Sequence, residues 1–449
     1  MKETSDKHTE GPAAAAAGTG ALPPLAGDAF DVGSTPDSLE RLAACAARHG
    51  DLFRIHAPGR RSDTWIINNP ADIKRVLVTS HRNYTKGVGL DRVALLLGNG
   101  IMTSEGETWR RQRRMIQPLF HRRVIEQFAT LIESCVAERL VRWQRCAARG
   151  ATIDITEEMS GLTLDLIVRS IFGDDVAWLA ERLGGDPFAL VTEHSARDLK
   201  FAYRFRALTR LVGELVAKRR AAGEEHFDFL GMLMAARDKD SGAPMADREL
   251  LDEAMTLVVA GHETSASALN WTWYLLATHP EAARRLEAEV DAMPDTPRLS
   301  FQDTEQLRYT QAALQEAMRL YPPGWILSRR TIEADTLGSY TVPPRTDVML
   351  SPYLIQRHPA HWDAPAEFRP ERFLDAAADP RDRWIYIPFA AGPRHCVGEN
   401  FAMYEMTVHV ARVARRWRLE YLDDGPIELE AAINLRTRRG LRMRLVPRH

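Results

Sequence analysis

What most limits the folds open to this chain is one cysteine in a glycine-bracketed loop with a helical run directly after it. The loop reads Phe389-Ala390-Ala391-Gly392-Pro393-Arg394-His395-Cys396-Val397-Gly398, and a helix is predicted over about Asn400–Trp417. A thiolate that binds a metal must lose its proton, and the free N–H groups of a helix N-terminus stabilise the anion. Hydrogen bonds to the sulfur tune how strongly it donates to the metal. Gly392 and Gly398 permit a tight turn and a close backbone approach to a flat group. Arg394 can pair with a carboxylate of that group, and Phe389 can screen the sulfur from water. A lone cysteine in such a turn is more often a small buried hydrophobe. Four further positions sharing one pattern argue here for the ligand.

Composition frames what surrounds this loop. The chain has 449 residues, is 45% hydrophobic and carries a formal charge of −2. Such a length allows a large core, and this charge balance offers no concentrated basic face for nucleic acid. Cys45, Cys135, Cys146 and Cys396 are scattered, with no CxxC pair. That argues against a disulfide scaffold or zinc site and fits a reducing, cytoplasmic compartment. Met1 to about Ala21 reads as a disordered lead, and residues 22–449 as a single domain. No run of about 18 apolar residues is present, so neither a membrane span nor an anchor is expected.

Periodicity predicts helices at Trp109–Gln117, Val124–Cys146, Leu162–Ile171, Leu208–Ala221, Asp247–Thr278, Glu281–Ala292 and Thr304–Leu320. It also predicts a hairpin from Leu52–His56 and Thr64–Asn68, and a β-rich region at Ser328–Pro352. The class is mainly α with small β-sheets at one side.

The cysteine loop resembles that of the cytochromes P450, and three further constellations follow the family's order. The resemblance covers about Leu22 to Val446. It implies haem b between the long oxygen-activating helix and the cysteine-loop helix, with Cys396 as the axial iron ligand. Phe389, Gly392, Arg394 and Gly398 then surround the cofactor, and His395 is a polar loop residue.

The second constellation, Ala260-Gly261-His262-Glu263-Thr264-Ser265, lies in the long helical run. Helical spacing puts Leu257, Ala260, Gly261 and Thr264 on one face. A Thr hydroxyl can bond the carbonyl three or four residues back and so bend or open the helix. The run resembles the family's oxygen-activating helix, which implies Thr264 as the catalytic hydroxyl and Glu263 as a proton relay.

The third is Glu316-Ala317-Met318-Arg319 with Phe368-Arg369-Pro370-Glu371-Arg372-Phe373 downstream. An i,i+3 ion pair is usually solvated and worth little. The order resembles the family's Glu-Arg-Arg network, which assigns Glu316, Arg319 and Arg372 to supporting the fold and the haem loop. In the fourth, Trp109 and Arg113 share a helix face and resemble the family's propionate-binding pair. Arg330 resembles a further propionate partner. Arg110, Arg111, Arg114, Arg122 and Arg123 form either a basic patch that steers an acidic partner or a solubilising surface.

The implied activity is monooxygenation: one atom of dioxygen enters a lipophilic small molecule. No dinucleotide-binding turn follows Cys396, so electrons come from separate partners, a ferredoxin and its reductase. Pocket candidates are Leu257, Ala260, Gly324, Trp325, Ile326, Ala432 and Ile433. Their apolar character favours a terpenoid, with a fatty acid or polyketide as alternatives. The rival readings are a haem-thiolate peroxygenase or isomerase, whose members typically lack the Glu263–Thr264 pair, and a non-enzymatic haem sensor. A monomer is expected. The stretch between Gly173-Asp174 and Asp228-Phe229 is short for the two-helix lid of that family.

Overall fold

A computed structural model describes residues 21–33, 35, 37–60, 62–188, 199–375, 380–381 and 383–448. The expected N-terminal lead lies almost wholly outside them. Helices carry most of the chain, and the longest, Asp247–Thr278, is central. It packs along Ile155–Phe172 and against Arg308–Leu320. Its start is fixed by Glu249, whose carboxylate reaches back to the Ala246 N–H at 2.9 Å and satisfies a donor that a helix end leaves orphaned. It stops at His279, because the residue before a proline, here Pro280, is pushed out of the helical region.

Gly261 marks the closest approach to Ile155–Phe172. A Cβ there would stand 2.7 Å from Ile167 Cδ1. Its smallness therefore serves helix packing, which corrects its assignment to the ligand face.

The single helix expected over Thr304–Leu320 is two helices, Phe301–Gln306 and Arg308–Leu320. The second is started from outside. Glu289, on the helix Pro280–Ala292, accepts the N–H groups of Tyr309 at 2.6 Å and Thr310 at 2.8 Å. Likewise a 3₁₀ turn at Glu126–Phe128 interrupts the helix expected at Val124–Cys146. Among its described residues the lid stretch holds the helices Asp175–Leu183 and Leu199–Ala222; residues 189–198 lie outside the described part.

The strands in chain order are β1 (Leu52–Ile55), β2 (Thr64–Ile67), β3 (Tyr84–Lys86), β4 (Ile153–Asp154), β5 (Leu327–Thr331) and β6 (Asp335–Leu337). After them come β7 (Tyr340–Val342), β8 (Asp347–Leu350), β9 (Trp417–Tyr421), β10 (Leu429–Ala431), β11 (Leu435–Thr437) and β12 (Arg442–Pro447). The main sheet runs β1-β2-β8-β5-β3. The expected β1–β2 hairpin is present, with Leu52 opposite Ile67. The β10–β11 hairpin stands apart as its own two-stranded sheet. The largest apolar core lies among the helices, and a smaller one, with Phe30, Leu42, Phe53 and Trp325, backs the main sheet. Among the described residues no helix is long and apolar enough to cross a membrane.

Candidate active site

The cysteine loop is built by backbone constraints. It is entered through Ile387, whose N–H donates to Gln356 Oε1 at 2.9 Å. Ala390 and Gly392 then take positive φ angles of 58° and 71°. At Gly392 no other residue fits, since a Cβ would stand 2.1 Å from the Leu77 carbonyl oxygen. The Cys396 N–H donates to Phe389 O at 3.0 Å, which sets the sulfur at the start of the helix Glu399–Arg416.

Burial is the largest influence on the Cys396 thiol and raises its pKa; the N–H groups of Gly398 and Glu399 and the charge of Arg113 oppose it. The Cys396 side chain is exposed at the loop surface. His395 Nε2 lies 2.9 Å from Glu399 on the loop's other side.

Cations gather at one edge of this loop. Arg113 Nη1 donates to His395 O at 2.8 Å. The Arg394 guanidinium sits 4.6 Å from the Trp109 ring centre and pairs with Glu105, while its Nη1 is buried without a partner. Lys86 Nζ donates to the carbonyls of Ile101 at 2.9 Å and Ser104 at 2.8 Å. Burial, with Arg394 adding to it, pushes Lys86 down to about 7 and Arg329 down to about 10. The acid that opposes Lys86, Arg329 and Arg394 together is Glu105. Such a surplus of positive charge suits a group with two carboxylates. A thiol at a helix start, an orphaned guanidinium nitrogen and this charge excess together fit haem.

Arg330 is not brought to the cluster. Neighbours on a strand point to opposite faces, and Arg330 is bound to Asp347 at 2.9 and 3.0 Å on the far side of β5. Arg329 takes the inward position. The alternation along β5 signals that only one of the two can face inward, but not which.

On the central helix, Thr264 Oγ1 donates to Ala260 O at 2.7 Å. The helix runs unbroken through this bond, so the expected opening is absent. Leu257 is buried and Ala260 half-buried. Glu263 Oε2 accepts from Asn434 Nδ2 at 2.8 Å, a partner that the sequence reading missed. Gly324 and Ile326 are half-buried, and Ala432 and Ile433 are exposed at the tip of the β10–β11 hairpin. Trp325 is fully buried among core residues, and its Nε1 donates to Ala432 O at 2.9 Å. It braces the hairpin from behind, which corrects its assignment to the pocket lining.

The support network is assembled. Glu316 and Arg319 are wholly buried and joined by bonds of 2.6 and 2.8 Å. Arg372 Nε reaches Glu316 Oε1 at 3.1 Å. Arg319 also holds the carbonyls of Gln356, Pro365 and Glu367, and Gln356 in turn holds Ile387 at the mouth of the cysteine loop. The expected basic patch is largely neutralised. Arg110 pairs with Glu107, Arg111 with Glu249, Arg114 with Asp238 and Asp240, and Arg122 with Glu305.

The sequence profile described as Cytochrome P450 matches residues 19–184 and 186–438. The chain is 35% identical to cyclooctatin synthase of Streptomyces melanosporofaciens, over 95% of this chain and 94% of that one. It is 33% identical to cyclooctat-9-en-7-ol 5-monooxygenase of the same organism, over 89% of each. With pentalenene oxygenase of Streptomyces avermitilis the identity is 31%, over 95% and 96%. Whole-length similarity thus joins the cysteine loop, the cation cluster and the central helix in one conclusion: the chain belongs to the cytochrome P450 family, the haem-dependent monooxygenases.

Proposed function

We propose that this chain hydroxylates a cyclic terpenoid, using electrons from a separate ferredoxin and its reductase. The observation that carries the substrate class is the near-complete mutual coverage with relatives named for cyclooctat-9-en-7-ol and pentalenene. The apolar side chains Leu257, Ala260, Ile326 and Ile433 support it, since such a substrate binds mainly by burying apolar surface. Bound haem supplies the oxidising chemistry, in which one oxygen atom enters the substrate and the other leaves as water.

In this reading Cys396 would supply the thiolate that holds the iron, its charged form favoured by the Gly398 and Glu399 N–H groups against the cost of burial. Trp109, Arg113, Arg329 and Arg394, with Lys86, would hold the propionates. Phe389 screens the sulfur. The Thr264 hydroxyl passes a proton inward, and Glu263 brings it from outside. Leu257, Ala260, Gly324, Ile326, Ala432 and Ile433 line the substrate side.

The test is a ferric spin-state titration of the haem-loaded protein with cyclic terpenes, fatty acids and macrolactones. A saturable low-to-high-spin shift confined to the terpenes is expected. A shift only with another class overturns the substrate assignment.

A further inference from the structure

The tip of the β10–β11 hairpin carries the exposed Ile433 and, next to it, Asn434, which is bonded to Glu263 of the central helix. Three residue pairs hold the hairpin, from Leu429 opposite Thr437 to Ala431 opposite Leu435. The Ala432 N–H donates to Asn434 O at 3.3 Å, so Ala432, Ile433 and Asn434 form one tight turn. The roots of this turn are fixed. Leu435 N–H donates to Pro323 O at 3.0 Å, and Leu435 O accepts from Ser267 Oγ at 2.7 Å and Trp271 Nε1 at 3.2 Å. The tip carries a large aliphatic side chain with little cover, Ile433, which is 53% accessible.

Beside it, Asn434 Nδ2 donates to Glu263 Oε2 at 2.8 Å. A hydrogen bond to a carboxylate is strengthened by the charge. The amide itself is neutral, so it orients Glu263 without cancelling that charge, as a lysine or arginine would. Thr264 is the next residue, about 100° further round the helix.

We propose that Asn434 is a positioning residue that holds the Glu263 carboxylate on the turn that carries Ile433, so that substrate contact and proton supply are linked through one turn. A substrate that presses on Ile433 braces the turn and with it the hold on Glu263. One that falls short of Ile433 leaves the turn, and the hold on the carboxylate, loose and turns over with poorer use of electrons. The inference rests on the reading of Glu263 as the proton relay.

The experiment uses the haem-loaded protein and four variants: Glu263→Gln, Asn434→Leu, Asn434→Gln and the Glu263→Gln/Asn434→Leu double variant. Leucine keeps the bulk of asparagine and removes the donor; glutamine keeps the donor. Difference infrared spectra of the substrate-free protein identify the Glu263 carboxylate band as the one lost in Glu263→Gln. Peroxide released per electron pair is then measured with the titrant giving the largest spin shift. Asn434→Leu is expected to move the band and to raise peroxide release on the order of three- to tenfold. Asn434→Gln should restore both in part. The double variant should release no more peroxide than Glu263→Gln alone, as groups acting through one another are not additive.

An unmoved band in Asn434→Leu overturns the proposal. So does a moved band with wild-type peroxide release while Glu263→Gln raises it. Wild-type peroxide release in Glu263→Gln sinks the relay reading itself, a different failure that the infrared band does not affect.

Discussion

At the residue scale, two adjacent arginines divide the labour on β5. Arg329 is buried beside Arg394 and Glu105, whereas Arg330 is bound to Asp347. Charge-assisted hydrogen bonds contribute about 1.5–3 kcal/mol each. Arg329→Ala should therefore speed haem transfer to an acceptor apoprotein by roughly ten- to a hundredfold, and Arg330→Ala should stay near the wild-type rate. Equal rates for the two variants would sink the assignment. The sequence reading named Arg330 and passed over Arg329, because alternation along a strand fixes relative orientation and not which face is inside. Cys396, Gly392 and Arg394 were easier to read. Their roles follow from chemistry confined to one short loop, and the Leu77 carbonyl that forbids a side chain at Gly392 only adds the reason. Asn434 could not be read at all, since its partner Glu263 is 171 residues away and an asparagine in a hairpin turn ordinarily signals only the turn.

At the scale of elements, the buried Glu316–Arg319 pair acts as a junction between the helix Arg308–Leu320 and the segment that runs to the cysteine loop. Removing one member of a buried pair leaves the other charge without compensation, at a cost of about 3–5 kcal/mol. Glu316→Gln, which keeps the shape, should lower stability by that amount and lower haem content at equal expression. Urea unfolding followed by tryptophan fluorescence, with the haem-to-protein ratio, checks both. A stability loss under about 1 kcal/mol would mean the pair behaves as a solvated one. The break at Leu307 belongs to this scale as well. Apolar spacing continues through Thr304–Leu320, so the sequence reads as one helix. The interruption comes from Glu289 of a neighbouring helix, which caps Tyr309 and Thr310, and tertiary caps leave no local signature.

At the scale of the molecule, opposing groups set how stability responds to pH. Burial pushes Glu253 on the central helix and Glu405 on the cysteine helix up to about 8, against about 4.3 in an unfolded chain. Between those values the folded protein holds protons that the unfolded chain releases, so these carboxyls make stability fall as pH rises. His409 is pushed the other way, down to about 3, by burial and then by Arg139, and its ring accepts the Trp273 N–H at 3.2 Å. Below about 6.5 the unfolded chain binds a proton that the folded one refuses, so His409 makes stability fall as pH drops. The two slopes oppose one another from about 4.3 to 6.5, and from about 7 upward Lys86, pushed down to about 7 against about 10.4 in an unfolded chain, opposes the carboxyl slope in its turn. Glu405→Gln should recover about 2 kcal/mol of the loss between about 6.5 and 8, flatten the carboxyl slope down to about 4.3 as well, and leave the slope below that unchanged. Melting temperatures at a series of pH values decide it; an alkaline slope as steep as wild type would exclude Glu405 as its source.

The paired arginines of the helix Gly106–Ile116 and of the short helix Arg122–Ile125 carry a further consequence. Arg110, Arg111, Arg114 and Arg122 each stand beside an acid of this same chain, so each is one end of a short dipole. The field of a dipole dies away faster with distance than that of a lone charge, and within a Debye length little of it survives in physiological salt. A partner that met this surface, such as the proposed electron donor, would therefore hardly be aimed from afar. Its orientation is decided at contact, by shape and by which of these internal pairs it can break and replace.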